Sequence, residues 1–151
     1  MNIRFRGFEI VSAYVDKQIN LPQRKTNLSA GYDIEAAEDK VLWANAVTIV
    51  STGLKAYMLD DEYLGIHIRS GLSIKNGLSL VNSQGIIDAD YYNNSDNEGH
   101  IMIAFFNHSE KHYNIQKGER IAQGIFYKYL LVDDDAQNAK QLRQGGFGST
   151  L

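Results

Sequence analysis

Short β-prone stretches separated by turn residues run along the whole chain and constrain its fold more than any other feature. They occupy residues 8–15, 46–50, 54–58, 63–68, 99–106 and 121–129. The predicted helical segments, 70–76 and 136–143, are short, and no long amphipathic helix competes with the strands. Many short strands at this spacing favour an all-β sandwich or barrel.

Residues 101–106 are apolar on both alternating faces. A strand of this kind is covered on both sides, either by a second sheet or by another subunit. At 151 residues the chain has the length of one domain with a single core. We therefore predict a single β domain over 1–132, followed by a polar and then glycine-rich C-terminal arm over 133–151.

The charge and composition of the chain argue against several classes of function. The formal net charge is −3, with 15 Lys plus Arg against 18 Asp plus Glu, which disfavours a nucleic-acid partner. Cysteine is absent, which excludes a thiol nucleophile and a disulfide framework. No apolar stretch approaches the ~18 residues of a membrane span, and the N-terminus lacks a signal-peptide core. We therefore expect a soluble cytoplasmic protein without a membrane partner.

Residues 85–91, with the sequence GIIDADY, place two carboxylates directly after apolar residues. An ionised Asp88 or Asp90 can align a water molecule by accepting a hydrogen bond from it. Taken alone, the segment is more typical of a solvated turn with two ordinary acids.

Residues 69–73, with the sequence RSGLS, lie where a strand ends and a helical turn begins. Ser70 and the N–H groups after it can receive a phosphate while Arg69 adds positive charge. An N-capping serine beside an ion-paired arginine is at least as common, so the segment alone leaves both interpretations open.

The C-terminal run GGFGST at 145–150 combines flexible backbone, two hydroxyl groups and one aromatic ring. This combination slightly favours a flap that wraps phosphate and covers a base, with Arg143 as a phosphate-binding guanidinium. The polar run at 93–99, NNSDNEG, predicts a mobile surface loop. The four histidines lack metal-site spacing, and Walker-type, dinucleotide and nucleophile-elbow motifs are absent.

In order along the chain, five segments resemble the motifs of the trimeric dUTPase family, from about residue 29 to residue 150. They are SAGYDI at 29–34, RSGLS at 69–73, GIIDADY at 85–91, KGERIAQ at 117–123 and GFGST at 146–150. Each segment alone is modestly informative, whereas five in the right order are highly specific.

This resemblance implies a jelly-roll-like β fold and a homotrimer in which the C-terminal arm of one subunit closes a neighbour's site. It also implies hydrolysis of dUTP to dUMP and pyrophosphate with Mg²⁺, which limits uracil in DNA and supplies dUMP for dTMP synthesis. Asp88 corresponds to the carboxylate that activates the attacking water, and Asp33 to the acid that holds the water shell of a magnesium ion bound mainly by the triphosphate. The implied substrate contacts are Arg69, Ser70, Gly71, Asn82, Gly85, Ile87, Tyr91, Gln123, Arg143, Phe147, Gly148, Ser149 and Thr150.

Three positions depart from the family pattern. Ile68 stands where the family usually has Pro, Tyr92 with the loop 93–98 replaces a short Arg-Gly turn, and Arg143 lies closer to Phe147 than in many relatives. Two alternatives stay open: a dCTP deaminase-like relative, and a regulatory protein that binds another protein through loop 93–98. Against the deaminase, Ala104 and Ile74 occupy the places where that enzyme needs Glu and a second Arg.

Overall fold

A computed structural model describes residues 2–135 and 142–148. Ser149, Thr150 and most of the predicted helical segment 136–143 lie outside these residues. The strands are β1 (Gly7–Ile10), β2 (Tyr32–Glu35), β3 (Lys40–Leu42), β4 (Val47–Ser51), β5 (Leu54–Tyr57), β6 (Glu62–Ile68), β7 (Leu78–Leu80), β8 (Gly85–Asp88), β9 (Met102–Asn107), β10 (Tyr113–Ile115) and β11 (Arg120–Lys128).

Two antiparallel sheets enclose the core. One has the strand order β2-β11-β6-β8 and the other the order β4-β9-β7, and the pairs β1-β5 and β10-β3 complete the body. Leu64 and Ile66 of the first sheet, with Val50 and Phe105 of the second, belong to one buried apolar cluster. Alternating side chains of both sheets thus meet in a shared core, which confirms the predicted all-β, jelly-roll-like fold.

The α-helix α1 (Ser70–Asn76) covers the predicted segment 70–76. It ends at Gly77, which adopts the left-handed conformation with φ 64 and donates its N–H to the carbonyl of Ser73. Glycine fits this C-terminal position because it has no Cβ to clash there. Arg69, rather than Ser70, occupies the N-cap position and makes no side-chain capping bond.

The first predicted strand, 8–15, is wrong in its second half. β1 ends at Ile10, and residues Ser12–Tyr14 form a 3₁₀ turn. Val11 donates its N–H to the carbonyl of Gly53, and its own carbonyl accepts the N–H of Tyr14 at 2.8 Å, so the chain turns away from the sheet.

Strand β9 was predicted to be covered on both faces. Its residues Ile103 and Phe105 are buried in the core, whereas Met102 and Ala104 on the opposite face are half-buried and line a cavity. Cover of that second face by another subunit stays a prediction. Within residues 2–135 and 142–148, no helix combines the length and apolarity needed to cross a bilayer.

Candidate active site

A cavity of about 210 Å³ lies between the hairpin β7–β8, strand β9 and the C-terminal arm. It brings together the third and fifth motif segments, since the predicted site residues among its lining are Asn82, Gly85, Ile87, Asp88, Tyr91, Arg143 and Phe147. Its volume falls below the roughly 300–1,000 Å³ of most ligand pockets. A cavity of this size therefore suits a compact ligand.

The backbone of β8 can supply polar groups to this cavity. β8 is the edge strand of its sheet and pairs only with β6 among the described strands, from Tyr63 opposite Asp88 to Ile66 opposite Gly85. An edge strand leaves half of its N–H and C=O groups outside the sheet. Gly85 packs tightly on β6, because a Cβ added there would lie 3.2 Å from Cβ of Ile66. The exposed N–H and C=O groups of this edge can therefore form hydrogen bonds with the polar edge of a small planar ring.

Arg143 of the arm bridges the two carboxylates of the GIIDADY segment. Its Nη2 donates to Oδ2 of Asp88 at 2.6 Å and its Nε to Oδ1 of Asp90 at 2.6 Å. The third donor, Nη1, bonds the carbonyl of Gly145 at 2.9 Å and so also fixes the arm's own turn. The side chain of Arg143 is 17% exposed, against 49% for Asp88 and 62% for Asp90. A planar guanidinium can hold two carboxylates at once, which a lysine cannot do in this geometry.

Tyr91 forms the buried wall of the cavity, with only 6% of the residue exposed. Its hydroxyl donates to the carbonyl of His100 at 2.7 Å and accepts from Nδ2 of Asn97 at 2.8 Å. Burial raises the pKa of Tyr91 above its ordinary value, and the Asn97 hydrogen bond opposes this only in part. The phenol is thus neutral and its ring is fixed by two hydrogen bonds.

Gly146 touches the ring of Tyr91. A Cβ at this position would lie 2.9 Å from Cε2 of Tyr91, a buried ring whose hydroxyl is held by two hydrogen bonds. Gly146→Ala is therefore expected to weaken arm docking by about 1–3 kcal/mol, the usual cost of overpacking. The measurement is the rate of tryptic cleavage after Arg143, which should rise while the thermal unfolding midpoint of the β domain stays constant. An unchanged cleavage rate would contradict this contact.

Loop 93–98 differs from the mobile surface loop expected from its composition. Asn94 is buried, and its side chain bonds the carbonyl of Tyr91, the backbone N–H groups of Asp96 and Asn97, and the side chain of Asn97. The loop also reaches the arm, because the N–H of Asp96 donates to the carbonyl of Gln144 at 3.0 Å. Hydrogen bonds within the loop and to the arm therefore hold it in place.

Glu98 anchors the end of this loop to the domain. Its carboxylate accepts from Nζ of Lys55 at 2.7 Å and from the hydroxyl of Ser12 at 2.7 Å. These hydrogen bonds lower the pKa of Glu98 from 4.5 to about 2, and the bond from Lys55 has the largest effect.

Because the folded-state pKa of Glu98 is depressed, its contribution to stability is complete above pH 4.5 and is lost as the pH falls toward 2. We expect Glu98→Gln to lower the urea midpoint at pH 7 and to reduce the loss of stability between pH 5 and pH 3. The side chain is 31% exposed, so solvent screening makes this effect modest. Parallel midpoint curves for both proteins across that window would overturn this assignment.

A second set of predicted residues lies at the other end of β6, around Asp33. Oδ2 of Asp33 accepts from Nη1 of Arg120 at 3.2 Å, and Oδ1 lies 3.7 Å from Nε of Arg69. Gln123 faces Asp33 across the β2–β11 pair. The side chain of Gln123 packs against Gly31, since a Cβ added to Gly31 would lie 2.3 Å from Oε1 of Gln123. We call Asp33, Arg69, Arg120 and Gln123 the arginine cluster.

Ser70 and Gly71 begin α1 beside the arginine cluster and are exposed. A Cβ added to Gly71 would meet no described atom within 4 Å, so packing within this chain does not require glycine there. The open backbone of this first helical turn can instead approach a ligand closely.

Asp88 and the arginine cluster lie toward opposite ends of β6. Asp88 pairs with Tyr63 near the start of β6, whereas Arg69 follows its last residue, Ile68. At about 3.3 Å per residue, residues 63 and 69 lie roughly 20 Å apart along the strand. Within one chain, a ligand that contacts both Asp88 and the arginine cluster would have to span much of this strand.

The described residues contain no group of three or more His, Asp or Glu side chains placed to hold a metal ion. Asp33 offers one carboxylate that two arginines already neutralise. This donor set fits a hard cation that brings its own oxygen ligands and water, as Mg²⁺ bound to a polyphosphate does.

Two residues that contact the candidate site residues were not identified from the sequence. Arg120 lies inside the fourth segment but was assigned no role, and Asn97 lies in the loop that was expected to be mobile. The asparagine-rich composition of that loop indicated a turn, but the bond between Asn97 and Tyr91 depends on how the loop folds. Ser149 and Thr150, the predicted phosphate contacts, lie outside the described residues, and Gly148 follows Phe147 at φ 91.

Fold and site together define a jelly-roll-like protein whose C-terminal arm lines a small pocket that contains a carboxylate and an aromatic ring. Residues 17–151 match the family model described as dUTPase. The chain belongs to the dUTPase family. This confirms the resemblance carried by the five segments, and with it the expectation of an enzyme of the dUTP diphosphatase class.

Individual relatives agree with this assignment. The deoxyuridine 5'-triphosphate nucleotidohydrolase of Lactococcus lactis subsp. lactis is 48% identical, over 98% of this chain and 99% of that protein. The crystal structure of dUTPase from Streptococcus mutans matches with TM-score 0.80 and 45% identity, over 84% of this chain and 98% of that one. The dUTPase from phage phi11 of S. aureus, with TM-score 0.72 and 21% identity over 97% and 99% of the chains, shares the fold.

Proposed function

We propose that this protein hydrolyses dUTP to dUMP and pyrophosphate in a homotrimer, with magnesium carried by the triphosphate. The observation that carries the proposal is the cavity in which Asp88, Tyr91 and the arm residue Arg143 meet. Membership of the dUTPase family and similarity to the deoxyuridine 5'-triphosphate nucleotidohydrolase of Lactococcus lactis support the same substrate.

The pyrimidine and sugar occupy the cavity in this proposal. The outward backbone groups of the β7–β8 hairpin, around Asn82, Gly85 and Ile87, read the polar edge of uracil, since main-chain groups are stiff donors and acceptors. The ring of Tyr91 packs on the deoxyribose and leaves no room for a 2′-hydroxyl, because its hydroxyl is held on two sides. Phe147, which lines the mouth and is largely exposed without ligand, stacks on the base.

Asp88 aligns the attacking water. Its carboxylate is half-exposed, and among the described residues its only hydrogen-bond donor is Arg143, at Oδ2. Oδ1 therefore remains available to accept a water proton. The water oxygen forms a bond to the α-phosphorus while the bond from that phosphorus to the bridging oxygen breaks, so pyrophosphate leaves without a covalent enzyme intermediate.

Arg143 exchanges partners during this cycle. Without ligand it is neutralised by Asp88 and Asp90, and with dUTP bound it turns to the γ-phosphate, aided by Ser149 and Thr150. Phosphate and carboxylate present similar planar pairs of acceptor oxygens to a guanidinium, so the exchange keeps the arginine paired.

The triphosphate lies along the arginine cluster. Arg69, Ser70, Gly71 and Gln123 contact phosphate oxygens, and Asp33 holds the water shell of the magnesium ion. Magnesium bound to the triphosphate neutralises charge that develops on the leaving group. The roughly 20 Å between this cluster and Asp88 along β6 supports a site in which neighbouring subunits supply the two halves.

The test is pyrophosphate release from dUTP, dCTP, dTTP and UTP, each with and without magnesium. Selective, magnesium-dependent turnover of dUTP is expected, and the oligomeric state is measured in parallel by light scattering. Ammonia release from dCTP would point instead to a deaminase. That outcome is disfavoured because Ala104, which lines the cavity, offers no carboxyl group. A monomer with full activity would contradict the shared site.

A further inference from the structure

Loop 93–98 connects the hydroxyl of Tyr91 to the backbone of the C-terminal arm through a continuous chain of hydrogen bonds. The amide of Asn97 donates to the Tyr91 hydroxyl at 2.8 Å and accepts from Nδ2 of Asn94 at 2.8 Å. Oδ1 of Asn94 accepts from the backbone N–H of Asp96 at 3.0 Å. The same N–H donates to the carbonyl of Gln144 in the arm, also at 3.0 Å.

The two asparagine side chains at the centre of this chain use both ends of their amides. Asn94, 8% exposed, also donates to the carbonyl of Tyr91 at 2.7 Å and accepts from the N–H of Asn97 at 3.0 Å. Oδ1 of Asn97 also accepts the N–H of Gly99 at 3.1 Å. A polar network that is partly buried and connected in this way is stiff, so displacement of one member is transmitted to the others.

The arm fits closely against the same elements. A Cβ at Gly145 would lie 2.8 Å from Oδ2 of Asp96, and one at Gly146 would lie 2.9 Å from the ring of Tyr91. Two consecutive glycines thus let the arm backbone pass directly over the loop and the tyrosine ring. Loop 93–98 and Tyr91 together form the surface that receives the arm.

We propose that Asn97 is a positioning residue that couples closure of the arm to the placement of Tyr91, and thereby to rejection of ribonucleotides. The inference rests on the proposed dUTP hydrolysis and deepens it. Asn97 does not touch the reacting atoms; it acts through Tyr91 on one side and, by way of Asn94, through Asp96 on the other. Because the loop and Tyr91 belong to one chain, the coupling is the same for an arm of that chain or of a neighbour.

Asn97→Ala tests the coupling with two independent readouts. The first is the ratio of kcat/KM for dUTP to that for UTP, which is expected to fall about tenfold because Tyr91 is no longer held against the sugar. The second is the rate of tryptic cleavage after Arg143, followed by mass spectrometry without nucleotide, which is expected to rise about tenfold as the arm undocks. If Asn97 only stabilised the fold, Asn97→Ala would change neither the dUTP-to-UTP ratio of kcat/KM nor the rate of cleavage after Arg143 relative to the rest of the chain.

Asn114→Ala is the matched control, since Asn114 is exposed on β10, far along the chain from the loop. Should Asn97→Ala fail to fold, Asn97→Asp keeps an oxygen for Asn94 and the N–H of Gly99 but removes the donor to Tyr91, and the same two changes are expected. Unchanged values in either readout, in a folded variant, would overturn the coupling. Absence of dUTP turnover in the wild-type protein would instead refute the proposed function, so the two failures are distinguishable.

Discussion

Replacing Asp88 with asparagine is expected to reduce kcat for dUTP by roughly 10²–10⁴-fold, the usual contribution of a positioned acid–base group. Asparagine has nearly the same shape and keeps one oxygen acceptor, but it cannot take a proton from the attacking water. Nucleotide binding should persist, because the hairpin backbone and Tyr91 are untouched. The measurements are kcat by pyrophosphate release and dUMP affinity by calorimetry.

Asp90→Asn provides the matched control for this substitution. Asp90 bonds the same guanidinium at the same 2.6 Å distance as Asp88, but its side chain is 62% exposed. The control removes one half of the Arg143 contact without removing the water-aligning carboxylate, so its effect on kcat should be far smaller. Equal losses in both variants would show that the two carboxylates serve only to hold the arm, and would remove Asp88 as the base.

Truncating the chain after Leu142 is expected to lower kcat/KM by roughly 10²-fold or more, the scale of losing one preorganised charge-stabilising group. The truncation removes Arg143 and Phe147 and opens the cavity to bulk water, which weakens electrostatic interactions inside it. The β domain should remain folded, since among residues 2–135 and 142–148 the buried core cluster contains none beyond Ala122. The measurement compares the kinetics and thermal midpoints of the truncated and full chains.

Arg143→Lys separates the arginine from the rest of the arm. Lysine keeps the positive charge but cannot bridge Asp88 and Asp90 or grip a phosphate with two parallel donors. We expect most of the loss seen on truncation, accompanied by faster proteolysis of the arm. Wild-type kinetics for this variant would assign arm function to Phe147 and the glycines instead, and wild-type kinetics for the truncated chain would refute the flap.

The longer strands were predictable because each carries enough residues to show a pattern. β6, β9 and β11 all fall within or near predicted stretches. β2, β3, β7, β8 and β10 were not predicted, since three or four residues each are too few to show a periodicity. Their strand conformation comes from pairing with a partner far along the chain, as Tyr113 pairs with Leu42.

The residue types at the site were predictable from the order of the five segments, but their partners were not. Arg143 was predicted to grip a phosphate, a role that stays a prediction, and in this chain it bonds Asp88, 55 positions earlier. Asp33 was predicted to hold the water shell of a metal ion, a role that stays a prediction, and in this chain it lies between two arginines. Such pairings depend on strand register, which local composition does not specify.

The amino-acid sequence by itself determined the class of fold, the family and the identity of most candidate site residues, because strand patterning and five ordered segments are local properties. Only the tertiary structure decided that the arm rests on loop 93–98 and that this loop is held in place. Its asparagines are typical of any solvated turn. The loop becomes a stiff support because the fold brings Lys55 beside Asn93, Ser12 beside Glu98 and Tyr91 beside Asn97, and each pair forms a hydrogen bond.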